Sequence, residues 1–177
     1  MRKVLMIVLG YFLISSFAFG EWKVGGKPGT EPDGFRGIKW GTHISNLKGM
    51  EYVRTDPSFG GVKVYRRKGD VLQIGSAKLD RIEYGFWKGR FCSVYIYTSG
   101  NVNWSGLKEA VFEKFGKGYQ PNEFIERYDW LGTKTLMELE YNKISEIGTL
   151  WMHSVKISDE QEAYKKQKAK EGAEKGF

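Results

Sequence analysis

Residues 79 to 98, LDRIEYGFWKGRFCSVYIYT, constrain the fold of this chain more than any other stretch. Ile82, Tyr84 and Phe86 alternate with Arg81, Glu83 and Gly85, the period of two that one buried sheet face requires. Lys88-Gly89 then suits a two-residue hairpin turn, and RFCSVYIYT returns over 90 to 98. Such a hairpin presents an apolar face that a helix can cover.

Further extended segments are expected at 50 to 55 (MEYVRT), 62 to 67 (VKVYRR), 71 to 75 (VLQIG), 124 to 130 (FIERYDW), 134 to 141 (KTLMELEY) and 149 to 157 (TLWMHSVKI). Ahead of them, Phe35, Ile38 and Trp40 read as residues of a first strand. A short helix follows, capped by Thr42, with Ile44 and Leu47 on one face and Gly49 closing it. A longer helix starts near 103, capped by Asn103 or Ser105. Its stripe is Leu107, Ala110, Val111 and Phe115, and Gly116 ends it. The fold class is therefore α+β, an antiparallel β-sheet with two short helices packed on it. A duplicated αβββ unit, with halves at 35–100 and 101–157, and a single domain with one continuous sheet both satisfy this order.

Around this core, MRKVLMIVLGYFLISSFAFG (1–20) reads as a signal peptide. It has a basic start, an eleven-residue apolar run, and small residues at Ala18 and Gly20 for cleavage. The run is shorter than the roughly 20 apolar residues a membrane span needs, so export to the periplasm or medium is expected rather than an anchored chain. Residues 21–34, with four glycines and two prolines, are expected to be a flexible lead-in. Residues 158–177 are expected to be a charged helical or disordered tail.

Removing residues 1–20 leaves 28 − 2 = 26 basic against 21 acidic residues, a net charge of +5. That excess is dispersed, and its densest run, Arg66-Arg67-Lys68, is expected at a solvated hairpin tip, so no nucleic-acid partner is implied. One cysteine, Cys92, forms no internal disulfide, and its place in a strand makes it a small buried apolar residue. Stability must then come from the core, for which six Trp, ten Tyr and eleven Phe provide large rings.

Phe115-Gly116, a loop containing Pro121, Tyr128-Asp129-Trp130 opening a strand and Leu139-Glu140-Tyr141 in the next carry a resemblance. Over residues 103–157, and less closely 35–98, the chain resembles the small α/β modules of outer-membrane assembly lipoproteins of the SmpA/BamE type and of the β-lactamase-inhibitor-protein-like fold. The Phe-Arg-Gly-Ile-x-Trp-Gly-Thr opening also resembles uncharacterised exported bacterial proteins. The lipid-bearing cysteine of the assembly factors has no counterpart here. What the resemblance implies is a protein-binding or envelope module.

Catalytic patterns are sparse. His43 falls at a helix start, where the dipole disfavours an imidazolium, and His153 alternates with Trp151, Val155 and Ile157 as a hydrogen-bonded, partly buried residue. Neither has a Cys, Asp or Glu at zinc-ligand spacing, so no cofactor or metal is expected. No Gly-x-Ser-x-Gly elbow or phosphate-cradling glycine loop occurs. Glu138 and Glu140 share a strand face at a separation of about 7 Å, and with Asp129 and His153 they define the alternative, a hydrolase using scattered carboxylates. The more suggestive feature is aromatic. Phe91, Tyr95 and Tyr97 alternate on one face, and with Trp87 at the hairpin end they define a candidate binding face for a peptide or another envelope protein. The expected function is a non-enzymatic binding or structural module of the cell envelope.

Overall fold

Lys88 and Gly89 both adopt left-handed backbone, φ 48° and 76°, as a type I′ turn demands. They join β7 (Arg81–Trp87) to β8 (Arg90–Ser99), the hairpin expected from the alternation. The computed structural model describes residues 22–176, and the expected signal peptide lies outside the described residues. Two small hairpins, β1 (Gly34–Phe35) with β2 (Ile38–Lys39) and β5 (Gln73–Ile74) with β6 (Ala77–Lys78), flank the main sheet. That sheet adds β3 (Met50–Asp56), β4 (Val62–Arg67), β9 (Arg127–Leu131), β10 (Thr135–Asn142) and β11 (Ile147–Ser154). All seven strands are antiparallel in the order β3-β4-β7-β8-β11-β10-β9.

The fold is thus α+β, with one continuous sheet and two helices, α1 (Asn101–Phe115) and α2 (Val155–Gly176). The sheet is two meanders meeting where β8 pairs with β11. α1 crosses the middle of one face, burying Trp104, Leu107, Val111 and Phe115 against Val94, Ile96, Leu150 and Met152. Stacking of Trp104 on Tyr141, with centroids 5.1 Å apart, extends that core to β10.

Several boundaries differ from expectation for local reasons. The helix expected at 42–48 is one 3-10 turn, Ile44–Asn46, because the Thr42 carbonyl accepts from Phe91 N–H at 2.9 Å and His43 caps the turn instead. The α1 helix begins after Gly100, and Asn103 does not cap it. Its amide donates to the Ser99 carbonyl and accepts from Lys78 N–H, both at 3.0 Å, tying helix to sheet. Strand 149–157 stops at Ser154, whose hydroxyl accepts from Ile157 N–H at 3.4 Å and starts α2. Val155 and Ile157 are therefore helical and do not share a strand face with His153. The second helix is thus the segment expected as a tail, and it is anchored by Ile157, Gln161 and Tyr164.

The lead-in is also docked where flexibility was expected. Val24 bridges Leu131 on the β9 edge, and Trp22 meets Phe115 edge-on at 6.4 Å. The Glu31 carboxylate accepts from Lys134 N–H, Thr135 N–H and the Thr133 hydroxyl. These partners lie about a hundred residues away, beyond the reach of a composition argument. Glu31→Ala is expected to lower unfolding free energy by about 1–2 kcal/mol, since two backbone donors lose a charged acceptor but regain some water. Urea unfolding checks this, and an unchanged midpoint would mean that the segment is not held.

Candidate functional site

The second face of the sheet carries Tyr95, Tyr97 and Trp87, three of the four residues expected to form a binding face. β8 carries an extra residue, because Gly85 pairs with Ser93 while Phe86 pairs with Phe91, leaving Cys92 unopposed. This bulge shifts the alternation by one. Phe91 and Val94 consequently share the α1 side, whereas Cys92, Ser93, Tyr95 and Tyr97 face the other. Gly85 permits it, since a Cβ there would stand 2.2 Å from Ser93 Oγ.

Of the four residues expected as a binding face, two are buried and unavailable. Phe91 is 0 % exposed among Trp40, Tyr84 and Phe86, with the nearest ring centroid at 4.8 Å. Trp87 does lie on the second face, but Tyr164 and Ile157 of α2 cover it and its indole N–H donates to the Phe59 carbonyl at 2.9 Å. Tyr95 and Tyr97 remain partly exposed and parallel, with centroids 6.3 Å apart. Trp151, opposite Tyr95 on β11, continues the row at 6.2 Å.

Arginines border this row on one side. Glu83, 3 % exposed, receives Arg54 at 2.7 Å, Arg66 at 3.3 Å and Arg81 at 3.4 Å. Burial works against its charge, but the Arg54 hydrogen bond and charge, with Arg66 and Arg81, outweigh it and hold the carboxyl below its ordinary value. Three cations around one anion leave the border positive. Arg81 also lies 3.6 Å over the Tyr97 ring. Arg66 reaches the sheet face, while its run Arg66-Arg67-Lys68 stays exposed to solvent as expected.

On the other side stand Glu138, Asp129 and Arg127. Arg127 reaches Glu138 at 2.7 Å and Asp129 at 3.3 Å. Burial raises the Glu138 carboxyl despite Arg127, with Asp129 and Glu140 adding to the effect. Trp151 pairs with Glu138 and His153 with Leu136, so His153 lies diagonal to Glu138 across the β10–β11 pair rather than opposite it. His153 is gathered instead with Tyr95, Tyr97, Trp151 and Gln161 in a cleft of about 310 Å³ beside α2.

Inside that cleft the polar balance is incomplete. Burial pushes the His153 imidazole down to about 4, with the Gln161 side chain opposing it in part, so the ring is neutral at neutral pH. Trp151 Nε1, His153 Nε2 and Gln161 Nε2 are buried without a well-placed hydrogen-bond partner among the described residues, the His153–Gln161 contact that opposes the imidazole's shift lacking the geometry of one. Asp56 lines the cleft too, held below its ordinary value by the Ser58 hydroxyl and N–H. Burial pushes the Tyr95 phenol up to about 12 and the Cys92 thiol up to about 11, which leaves both neutral and Cys92 inert as a nucleophile.

His43 is exposed, and its Nδ1 accepts from Ser45 N–H at 3.3 Å. Among the described residues, no group of three His, Cys, Asp or Glu side chains could hold a metal, and no helix is long and apolar enough to cross a membrane.

Sequence reasoning missed Trp151, Arg54, Arg66 and Gln161 as members of this face. The alternation in TLWMHS placed Trp151 beside His153, and Ile157, Gln161 and Tyr164 have helical spacing, so two of those signals were present. The convergence of Arg54 and Arg66 on Glu83 needed the strand order. Comparison with protein-family models, with curated proteins and with solved structures found no match to this chain.

Proposed function

We propose that this chain is a secreted or periplasmic, non-enzymatic binding module of the cell envelope. It takes a peptide or protein segment on the part of the second sheet face that α2 leaves open. The observation that carries this reading is the row Tyr97, Tyr95 and Trp151, partly exposed between an arginine border and a carboxylate border. Aromatic rings contribute contact area at little entropic cost, and Trp, Tyr and Arg dominate binding energy at interfaces. The apolar leader in residues 1–20 supports export, and the resemblance of residues 103–157 to SmpA/BamE-type modules supports an envelope role.

The test is photo-cross-linking of the full chain in its own host, with a photoreactive phenylalanine analogue at Tyr97. One reproducible envelope polypeptide is expected, with yield falling at least about tenfold when Trp151→Ala is added, the loss of an interface anchor. Capture that ignores Trp151→Ala, or no capture, would overturn the reading. The second reading, a hydrolase, rests on Glu138, whose carboxyl is raised by burial beside Asp129 and Glu140. Turnover of an envelope glycan abolished by Glu138→Gln would favour it.

A further inference from the structure

Three buried nitrogen atoms without partners in one cleft call for an occupant. Native interiors leave few such groups, because each costs about 1–3 kcal/mol when desolvated and unpaired. Here Trp151 Nε1, His153 Nε2 and Gln161 Nε2 belong to residues lining the same cleft. His153 is 8 % and Gln161 1 % exposed. The indole and the amide nitrogen can only donate, and the imidazole donates when its proton sits on Nε2. Whichever tautomer the imidazole takes, the Trp151 indole and the Gln161 amide nitrogen lack an acceptor.

The surroundings specify its charge. Arg54 lines the cleft, and its guanidinium is one of the three that crowd Glu83, so N–H groups remain at the rim for a second anion. Asp56, on the same wall, already accepts from Ser58 N–H at 2.8 Å. Val62 and Phe59 supply apolar wall, and Tyr95, Tyr97 and Trp151 line the same cleft. A volume of about 310 Å³ is at the bottom of the range of about 300–1,000 Å³ for small-ligand sites, enough for an end group and not a folded partner.

We infer that the cleft is a carboxylate subsite of the peptide surface: a peptide's carboxylate takes the unpaired N–H groups of Trp151 and Gln161 with Arg54 at the rim, and its preceding side chains lie on Tyr95 and Tyr97. This rests on the peptide-binding reading above. The carboxylate comes from a chain terminus or from an Asp or Glu side chain.

Titration of the full chain, followed by the indole N–H resonances, separates these cases. The probes are a randomised pool of N-acetylated tripeptides with free C-termini, the same pool amidated, and an amidated pool with Glu or Asp fixed in the last position. The free-acid pool is expected to move the Trp151 indole resonance saturably, leaving Trp104 and Trp130 in place. Terminal recognition predicts binding at least about tenfold weaker for the plain amidated pool, the loss of a charge-assisted hydrogen bond. Equal restoration by the acidic amidated pool identifies side-chain recognition instead, within the same inference. Gln161→Leu, with native Trp104 and Trp130 resonances as the check on folding, is expected to reduce the free-acid pool to the level of the plain amidated one.

If all pools bind alike, the carboxylate subsite is wrong while the peptide surface stands. If no pool moves Trp151 although the Tyr97 cross-link forms, the subsite is again wrong and the surface survives. If neither occurs, both readings fail.

Discussion

Phe91→Ala is expected to lower the free energy of unfolding by about 3–5 kcal/mol, the cost of emptying a fully buried aromatic site. The ring is 0 % exposed and within aromatic contact distance of Trp40, Tyr84 and Phe86, so its removal leaves a cavity that β7 and the Trp40 loop would have to close. Tyr95→Ala, four residues along the same strand, is expected to cost only about 1–2 kcal/mol, because its ring is already partly exposed. The same substitution should weaken binding, which Phe91→Ala at a temperature well below its midpoint should not. Urea unfolding of the two variants measures the contrast. Equal losses would mean that both rings share a face, that the bulge at Cys92 is absent, and that the aromatic row includes Phe91 after all.

Acidification should cost the fold up to about 3 kcal/mol between pH 6.5 and 4 through His153 alone. Its folded pKa lies near 4 because burial disfavours the imidazolium, whereas the unfolded ring titrates at about 6.5. Above pH 6.5 both states are neutral and the stability is fully present. As pH falls from 6.5 to 4 the unfolded state binds a proton that the folded state refuses, so stability declines. Below 4 this group adds no further loss. The gap at about 1.4 kcal/mol per pH unit sets the bound.

Glu83 acts with the same sign in a lower window. Its folded pKa is depressed below 4.5, so its stabilisation is present above 4.5 and is lost as pH falls through the folded value. Urea midpoints measured from pH 7.5 to 3 should therefore show two descents. His153→Gln is expected to remove the upper one and leave the lower. A wild-type midpoint that is flat between pH 6.5 and 4.5 would show that the ring stays hydrated or finds a partner.

Local chemistry was legible where it acts locally. Lys88-Gly89 marked a two-residue hairpin turn, Gly116 ended α1, and Met137, Leu139 and Tyr141 alternated with Glu138 and Glu140 as the core and outer faces of β10. Reading failed where a distant group competed. Thr42 lost its capping role to a backbone pair with Phe91, and Glu31 pinned a glycine-rich segment that composition marked as mobile. The tail looked uniformly polar because Gln161 is polar by type, although the fold buries it as deeply as a leucine.

The amino-acid sequence by itself determined the class of fold: a period of two, broken by one helical stretch near 103 and punctuated by glycine, admits an antiparallel sheet with a helix against it. It also determined the aromatic content from which any binding face would be built. Only the tertiary structure decided which rings are available. A single extra residue at Cys92 moved Phe91 to the α1 side, and α2, nearly seventy residues later, closed over Trp87. Period and turn chemistry depend on neighbours within a few residues, whereas exposure depends on every segment that can reach the same surface. Tyr95 and Tyr97 stayed open because no helix crosses them, and Trp151, Arg54 and Arg66 joined them because β11, β3 and β4 were paired there.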